Sequence, residues 1–164
     1  MNIAQIREYD VANGPGIRTT IFVSGCTHNC FACFNKEYQN FNFGKKFNRE
    51  IKNEIINYVR KTKNLSVLGG EPMQQGKELV EFLKEVKETT NANIWVWTGY
   101  KLEEILESED INKKDALMYI DILVDGKFIQ HQKDLTLKFR GSSNQRIINV
   151  KKTLENNKIV LMEV

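Results

Sequence analysis

The chain has 164 residues, 41% hydrophobic, 27% charged and 10% aromatic. This globular composition suits one domain, residues 1–164, and the length falls short of the roughly 250 residues of a full eight-stranded α/β barrel. Twenty-four basic against 21 acidic residues leave a charge of only +3. The lysine pairs at 45–46, 113–114 and 151–152 are scattered, so they read as solvated faces rather than a nucleic-acid surface. No apolar run exceeds five residues, against the roughly 18 that a membrane helix needs. Arg7, Glu8 and Asp10 stand where a signal peptide would carry its apolar stretch, so no secretion is expected.

In chain order, residues 19–24 (TTIFVS) read as a buried strand running into Gly25. Residues 48–61 place Ile51, Ile55, Tyr58 and Val59 at helical spacing, with Asn48 as N-cap. Residues 65–68 form a short strand ending at Gly69-Gly70. Residues 77–89 are a second amphipathic helix, with Leu79, Val80, Phe82, Leu83 and Val86 on its apolar side. Residues 94–97 are a strand ending at Thr98-Gly99, residues 102–106 a third helix, and residues 120–124 a strand ending at Asp125-Gly126. Residues 147–150 and 159–162 read as late strands. Strands alternating with helices predict βαβ units and a mainly parallel sheet, too small to close, hence an open partial (β/α) barrel. Ligands bind at the carboxyl ends of parallel strands. The motifs at Gly25, Gly69, Thr98 and Asp125 therefore converge on one edge.

All three cysteines lie in one stretch, Cys26-Thr-His-Asn-Cys30-Phe-Ala-Cys33. An odd, clustered set argues against a disulfide framework and for a metal site in a reducing cytoplasm. Thiolates at CxxxCxxC spacing can wrap one cluster from a single loop. Iron–sulfur clusters commonly take four cysteines, so a 4Fe–4S cluster here leaves one iron without a protein thiolate. An open coordination position is what distinguishes a metal that binds substrate. The alternative is zinc with His28 as fourth ligand, cramped between two of the cysteines. Otherwise His28 reads as a solvent-facing loop residue and His131 as a surface residue.

The CxxxCxxC after the first strand, followed by Gly69-Gly70-Glu71-Pro72 after the next, resembles the radical S-adenosylmethionine superfamily. The start, Asn13-Gly14-Pro15-Gly16-Ile17-Arg18, resembles the glycyl-radical-enzyme activases, which often have Asp where Asn13 stands. Residues 121–128 (DILVDGKF) and 139–146 (FRGSSNQR) are similar to a narrower subgroup, whose protein substrate is an anaerobic reductase. The resemblance implies a 4Fe–4S cluster on Cys26, Cys30 and Cys33 and S-adenosylmethionine as cofactor. It further implies a low-potential electron donor such as flavodoxin or ferredoxin. Because radical chemistry belongs to the cofactor, no catalytic acid or base is assigned.

By the same resemblance, Glu71 and the carbonyls beside Gly69 and Gly70 accept from the methionine ammonium, and Pro72 stiffens that turn. Asn35 reaches the methionine carboxylate. Thr98 and Asp125 match cofactor-lining positions. Ala32, just before Cys33, departs from the usual aromatic and leaves backbone and Phe34 to cover the adenine. Some activases carry a second Asp beside the threonine. Trp97 stands there instead, which speaks against a bound monovalent cation. Trp95 and Trp97 otherwise read as core. Of Phe34, Tyr38, Phe41, Phe43 and Phe47, some are expected to shield the cluster and others to dock a partner. The enzymatic alternatives are an activase of another glycyl radical enzyme, such as pyruvate formate-lyase, and a small radical enzyme acting on a pterin-like molecule. The non-enzymatic one is a zinc or nucleic-acid-binding module.

Overall fold

The computed structural model describes residues 1–164. Its centre is built from the most apolar segments. Strand β2 (Arg18–Ser24) is buried along its whole length. It pairs in parallel with β4 (Asn64–Gly69), which pairs with β5 (Asn93–Trp97), which pairs with β6 (Ile122–Asp125). Strands buried on both faces lose the polar alternation of a half-exposed strand, which is why these four stand out in the sequence.

The edges are antiparallel. On one side lie β1 (Asn2–Asp10) and the two-residue β3 (Lys45–Lys46); on the other lies β7 (Arg146–Asn149). The order is β3-β1-β2-β4-β5-β6-β7, an open sheet of seven strands. Three of the six pairings are parallel and three antiparallel, so the expected parallel run forms the centre of a mixed sheet. The difference comes chiefly from β1, which the sequence pattern does not announce. Its residues are mostly polar and half-buried, and two irregularities break its register with β2.

Helix α1 (Arg49–Thr62) starts where predicted, with Asn48 Oδ1 accepting from Ile51 N at 2.8 Å. Its Ile55, Ile56 and Val59 join Leu79, Phe82, Leu83 and Val86 of α2 (Lys77–Thr90) over one face of the sheet. Ile21, Val23, Leu65, Val67, Ile94 and Val96 point into that same core. Alternate strand residues face the other side. There Trp95, Ile122, Val124 and Ile147 make a smaller cluster that no helical residue joins. Helix α3 (Leu102–Glu107) follows β5 as expected, and α4 (Ile111–Leu117), capped by Asp110, was not anticipated.

Two late assignments change. Val150 does not extend a strand. It opens α5 (Val150–Asn156), because Asn149 caps that helix through Oδ1 to Lys152 N at 3.0 Å. Residues 159–162 make only an isolated bridge, Ile148 to Leu161. The penultimate strand starts at Ile122 rather than Ile120, which is buried in the core just before it. No helix is long and apolar enough to cross a membrane.

Candidate functional site

Four chain segments leave the carboxyl ends of adjacent parallel strands β2, β4, β5 and β6, and together they enclose a cavity of about 170 Å³. Cys26, Cys30 and Cys33 all line it. So do Phe34, Asn35, Gly69, Gly70, Glu71 and Thr98. Ala32, Pro72 and Asp125 do not.

The Gly69-Gly70 turn passes tightly against the end of β2. Gly69 sits at φ +114°, where a Cβ would lie 2.6 Å from the carbonyl oxygen of Val23. A Cβ on Gly70 would lie 2.7 Å from the carbonyl oxygens of both Gly25 and Tyr38. Any larger residue would push the turn away from the cysteine loop. Backbone bonds lock the approach, from Gly70 N to Val23 O and from Glu71 N to Gly25 O, both 2.8 Å.

Glu71 is 1% exposed and its carboxylate is fully occupied. Oε1 accepts from Gly99 N and binds His28 Nε2, each at 2.7 Å. Oε2 accepts from Met73 N and Thr98 Oγ1, each at 2.8 Å. A carboxylate offers about four lone-pair sites, and all are used. Three loops thereby meet on one side chain.

His28 corrects the expectation of a solvent-facing residue. Its side chain is 7% exposed, bound to Glu71, and set edge-on to Tyr100 with ring centroids 4.6 Å apart. A buried carboxylate needs donors, and the cysteine loop supplies one. With Nε2 held on Glu71, His28 has only Nδ1 left to offer a metal. No three His, Cys, Asp or Glu side chains gather closely enough for a single metal ion.

Asp125 is equally buried but serves another end. Arg146 stands opposite it in the β6–β7 register and donates from Nε at 3.0 Å and Nη2 at 2.6 Å. Its Oδ2 also accepts from Leu102 N at 2.8 Å, anchoring the start of α3. These hydrogen bonds, from Asp125 first, push the Arg146 guanidinium above its ordinary range.

The aromatic residues divide clearly. Phe47 belongs to the core, edge-on to Phe82. Phe41 lies over Gly25, while Tyr38 packs near Phe22 and Phe43. Phe34 is 61% exposed and pairs with Phe128 at the cavity mouth. Trp95 is buried, whereas Trp97 lines the cavity and donates from Nε1 to the Phe139 carbonyl at 2.7 Å. Residue reasoning missed Phe128 and Gln145 as lining residues. The only signal for Gln145 was its place in the 140–146 string.

The three thiols are free and half-buried. Burial pushes Cys26 up to about 11 and raises Cys30, with the neighbouring cysteines adding in the same direction. These shifts favour the neutral thiols, and metal coordination is what deprotonates such a set. Soft sulfur donors from one loop beside a glycine-cleared turn fit an iron–sulfur cluster. Residues 12–148 match the family described as 4Fe-4S single cluster domain, which makes this an iron–sulfur protein.

The chain is also similar to anaerobic ribonucleoside-triphosphate reductase-activating proteins. It is 44% identical over 154 residues to that of Haemophilus influenzae, covering 90% of this chain and 97% of the relative. Identity is 40% over 152 residues to that of Escherichia coli K12, covering 88% and 96%. With the protein of that name from Enterobacteria phage T4 it is 36% over 154 residues, covering 90% and 93%. The chain belongs to the family of these activating proteins.

Proposed function

We propose that this chain activates anaerobic ribonucleoside-triphosphate reductase by generating a glycyl radical on it, with S-adenosylmethionine at a 4Fe–4S cluster on Cys26, Cys30 and Cys33. The observation that carries the reading is the shared cavity. Three thiols from one loop face the Gly69–Glu71 turn and Thr98, and three thiolates leave one of four irons open to the cofactor. The open sheet is read as a partial barrel. When bound, the cluster on Cys26, Cys30 and Cys33 and the cofactor beside Gly69–Glu71 would supply the radical chemistry, a one-electron reductive cleavage of S-adenosylmethionine coupled to removal of a hydrogen atom from a backbone glycine.

The protein's own part is to bind, orient and shield. Gly69 and Gly70 clear space and present carbonyls to the methionine ammonium. Asn35, whose side chain has no partner among the protein's hydrogen bonds, takes the methionine carboxylate. Phe34, with the backbone of Ala32 and Cys33, covers the adenine. Glu71 holds the cysteine loop, Thr98 and Gly99 in register, and meets the ammonium only by exchanging a donor such as His28. Pro72 and Asp125 act through the turns they stiffen. A low-potential carrier such as flavodoxin or ferredoxin delivers the electron.

The test is anaerobic mixing of reconstituted protein, S-adenosylmethionine, a strong reductant and the reductase. Electron paramagnetic resonance should show a doublet from one strongly coupled α-hydrogen. Deuterated glycine should collapse the doublet and pass deuterium into 5′-deoxyadenosine. A doublet seen only with another glycyl radical enzyme overturns the choice of partner. Cleavage that needs only a small molecule overturns the activase reading altogether.

A further inference from the structure

Of the four donors on the Glu71 carboxylate, only His28 comes from the cysteine loop. The other three are fixed by the turns that carry them. Gly99 and Met73 donate from main-chain N–H groups. Thr98 Oγ1 is buried and also accepts from Tyr100 N at 3.1 Å, which pins it in place. The imidazole is tied less firmly. Its Nε2 bond to Oε1 is the ring's one hydrogen bond, and Nδ1 has no partner among the protein's hydrogen bonds.

The ring also borders two spaces. One is the cysteine cavity. The second is a cavity of about 230 Å³, lined by His28 with Tyr100, Glu104, Ser108, Lys113 and Lys127. Only His28 and Lys127 line both. The cysteine loop, meanwhile, does not depend on the imidazole to stay in place, because Gln74 clamps the residue before it. Gln74 Oε1 accepts from Thr27 N at 3.0 Å, and its Nε2 donates to Thr27 Oγ1 at 2.7 Å and to Tyr100 Oη at 2.8 Å.

We propose that His28 is a stand-in for the cofactor's ammonium. It holds Oε1 of Glu71 before S-adenosylmethionine binds, and it yields that position by turning into the second cavity when the cofactor enters. The inference rests on the function proposed above, in which an ammonium must meet a carboxylate whose lone pairs are all taken. A buried carboxylate left one donor short costs stability, so the free protein needs a substitute donor. An ammonium carries three N–H donors and a full charge, so it outcompetes one ring N–H at the same oxygen. Glu104 and Ser108 offer the displaced N–H acceptors in the second cavity. His28 is thus a positioning residue, acting on the cofactor through Glu71.

The test compares His28→Ala and His28→Gln with wild type, all reconstituted anaerobically. Two quantities are measured: the urea midpoint without S-adenosylmethionine, and S-adenosylmethionine affinity by titration. His28→Ala removes the stand-in, so the midpoint should fall while affinity rises roughly tenfold. Iron content should stay near wild type, because Gln74 still holds the loop. Glutamine sets an N–H close to the Nε2 position, so His28→Gln should restore wild-type behaviour in both measurements. Affinity that falls or stays unchanged in His28→Ala makes His28 a plain brace of Glu71 and overturns the proposal. A glutamine variant that behaves as the alanine one overturns the N–H as the cause. An equal gain with an analogue lacking the amino group overturns the exchange with the ammonium. If His28→Ala takes up no cluster, wild type decides. Its anaerobic crystals with S-adenosylmethionine should show His28 Nε2 out of hydrogen-bond reach of Oε1, and a retained bond overturns the proposal. Wild-type protein that binds no S-adenosylmethionine refutes the proposed function itself, and this inference with it.

Discussion

The sheet buries a charge at each end, and the two are handled differently. At the amino end of β2, Arg18 is 1% exposed. It donates to Ser66 Oγ at 2.7 Å, to the carbonyls of Pro15, Leu65 and Asn93, and to Asn93 Oδ1. Burial lowers its pKa to about 10, with Asp121 and Asp10 partly restoring it. At the carboxyl end, Glu71 is just as buried and just as satisfied. Arg18, however, lines neither cavity, whereas Glu71 lines the cysteine cavity. Most of Arg18's partners are backbone or neutral groups of the scaffold. Glu71's partners come from the cysteine loop and the two turns that the cofactor would touch. Equal burial therefore marks a weld in one place and a joint of the site in the other.

Four measurements would break or sharpen that contrast. The largest effect belongs to the cysteines. Cys26→Ala, Cys30→Ala or Cys33→Ala should each abolish the brown chromophore or the reductive cleavage of S-adenosylmethionine. Unchanged cleavage in all three variants would end the ligand assignment.

Arg18→Ala should come next. It strands several buried acceptors at once, and a stability loss of about 3–5 kcal/mol is expected in urea unfolding. Cofactor affinity of the folded fraction should not change. A reversed pattern, with stability kept and affinity lost, would contradict the weld.

Glu71→Gln is the counterpart. Its amide places two donors where four donors already converge, so the loops should part. S-adenosylmethionine affinity should fall roughly tenfold to a hundredfold, with iron content near wild type. Equal affinity in anaerobic titration would reject the role.

The smallest effect concerns the rim of the sheet. Arg146 hydrogen-bonds Glu103 at 2.9 Å and lowers its pKa. A lowered carboxyl pKa adds stability that is full above the ordinary glutamate range and fades as pH falls through the folded value. The pair is half-exposed, so its worth stays below about 1 kcal/mol. Glu103→Gln should therefore shrink the fall in urea midpoint between pH 6 and pH 3 by that small amount. An unaltered acid profile would show the pair to be inert.

Much of the site was legible in the chain. Three cysteines at CxxxCxxC spacing and the Gly69-Gly70-Glu71 turn each depend on local backbone geometry, so they announce themselves as strings. Asn48 was readable for the same reason, since a cap acts within three residues. Strand β1 was not, because a half-buried strand next to the sheet edge carries too few apolar residues to show its period. His28 was expected in solvent and is buried against Glu71, 43 residues on. Asp125, matched to a cofactor-lining position, is hydrogen-bonded to Arg146.

What the sequence by itself determined is the donor set and the order of strands and turns that carries it to one edge of a parallel centre. What only the tertiary structure decided is which buried charges meet. Arg18, Glu71 and Asp125 find their partners chiefly on other strands and loops, Asp125 across 21 residues and Glu71 across as many as 43. Hydrogen bonds made over such distances leave no periodic trace in the chain. Burial makes those pairings obligatory, because an unpaired charge away from water costs more than the fold can spare.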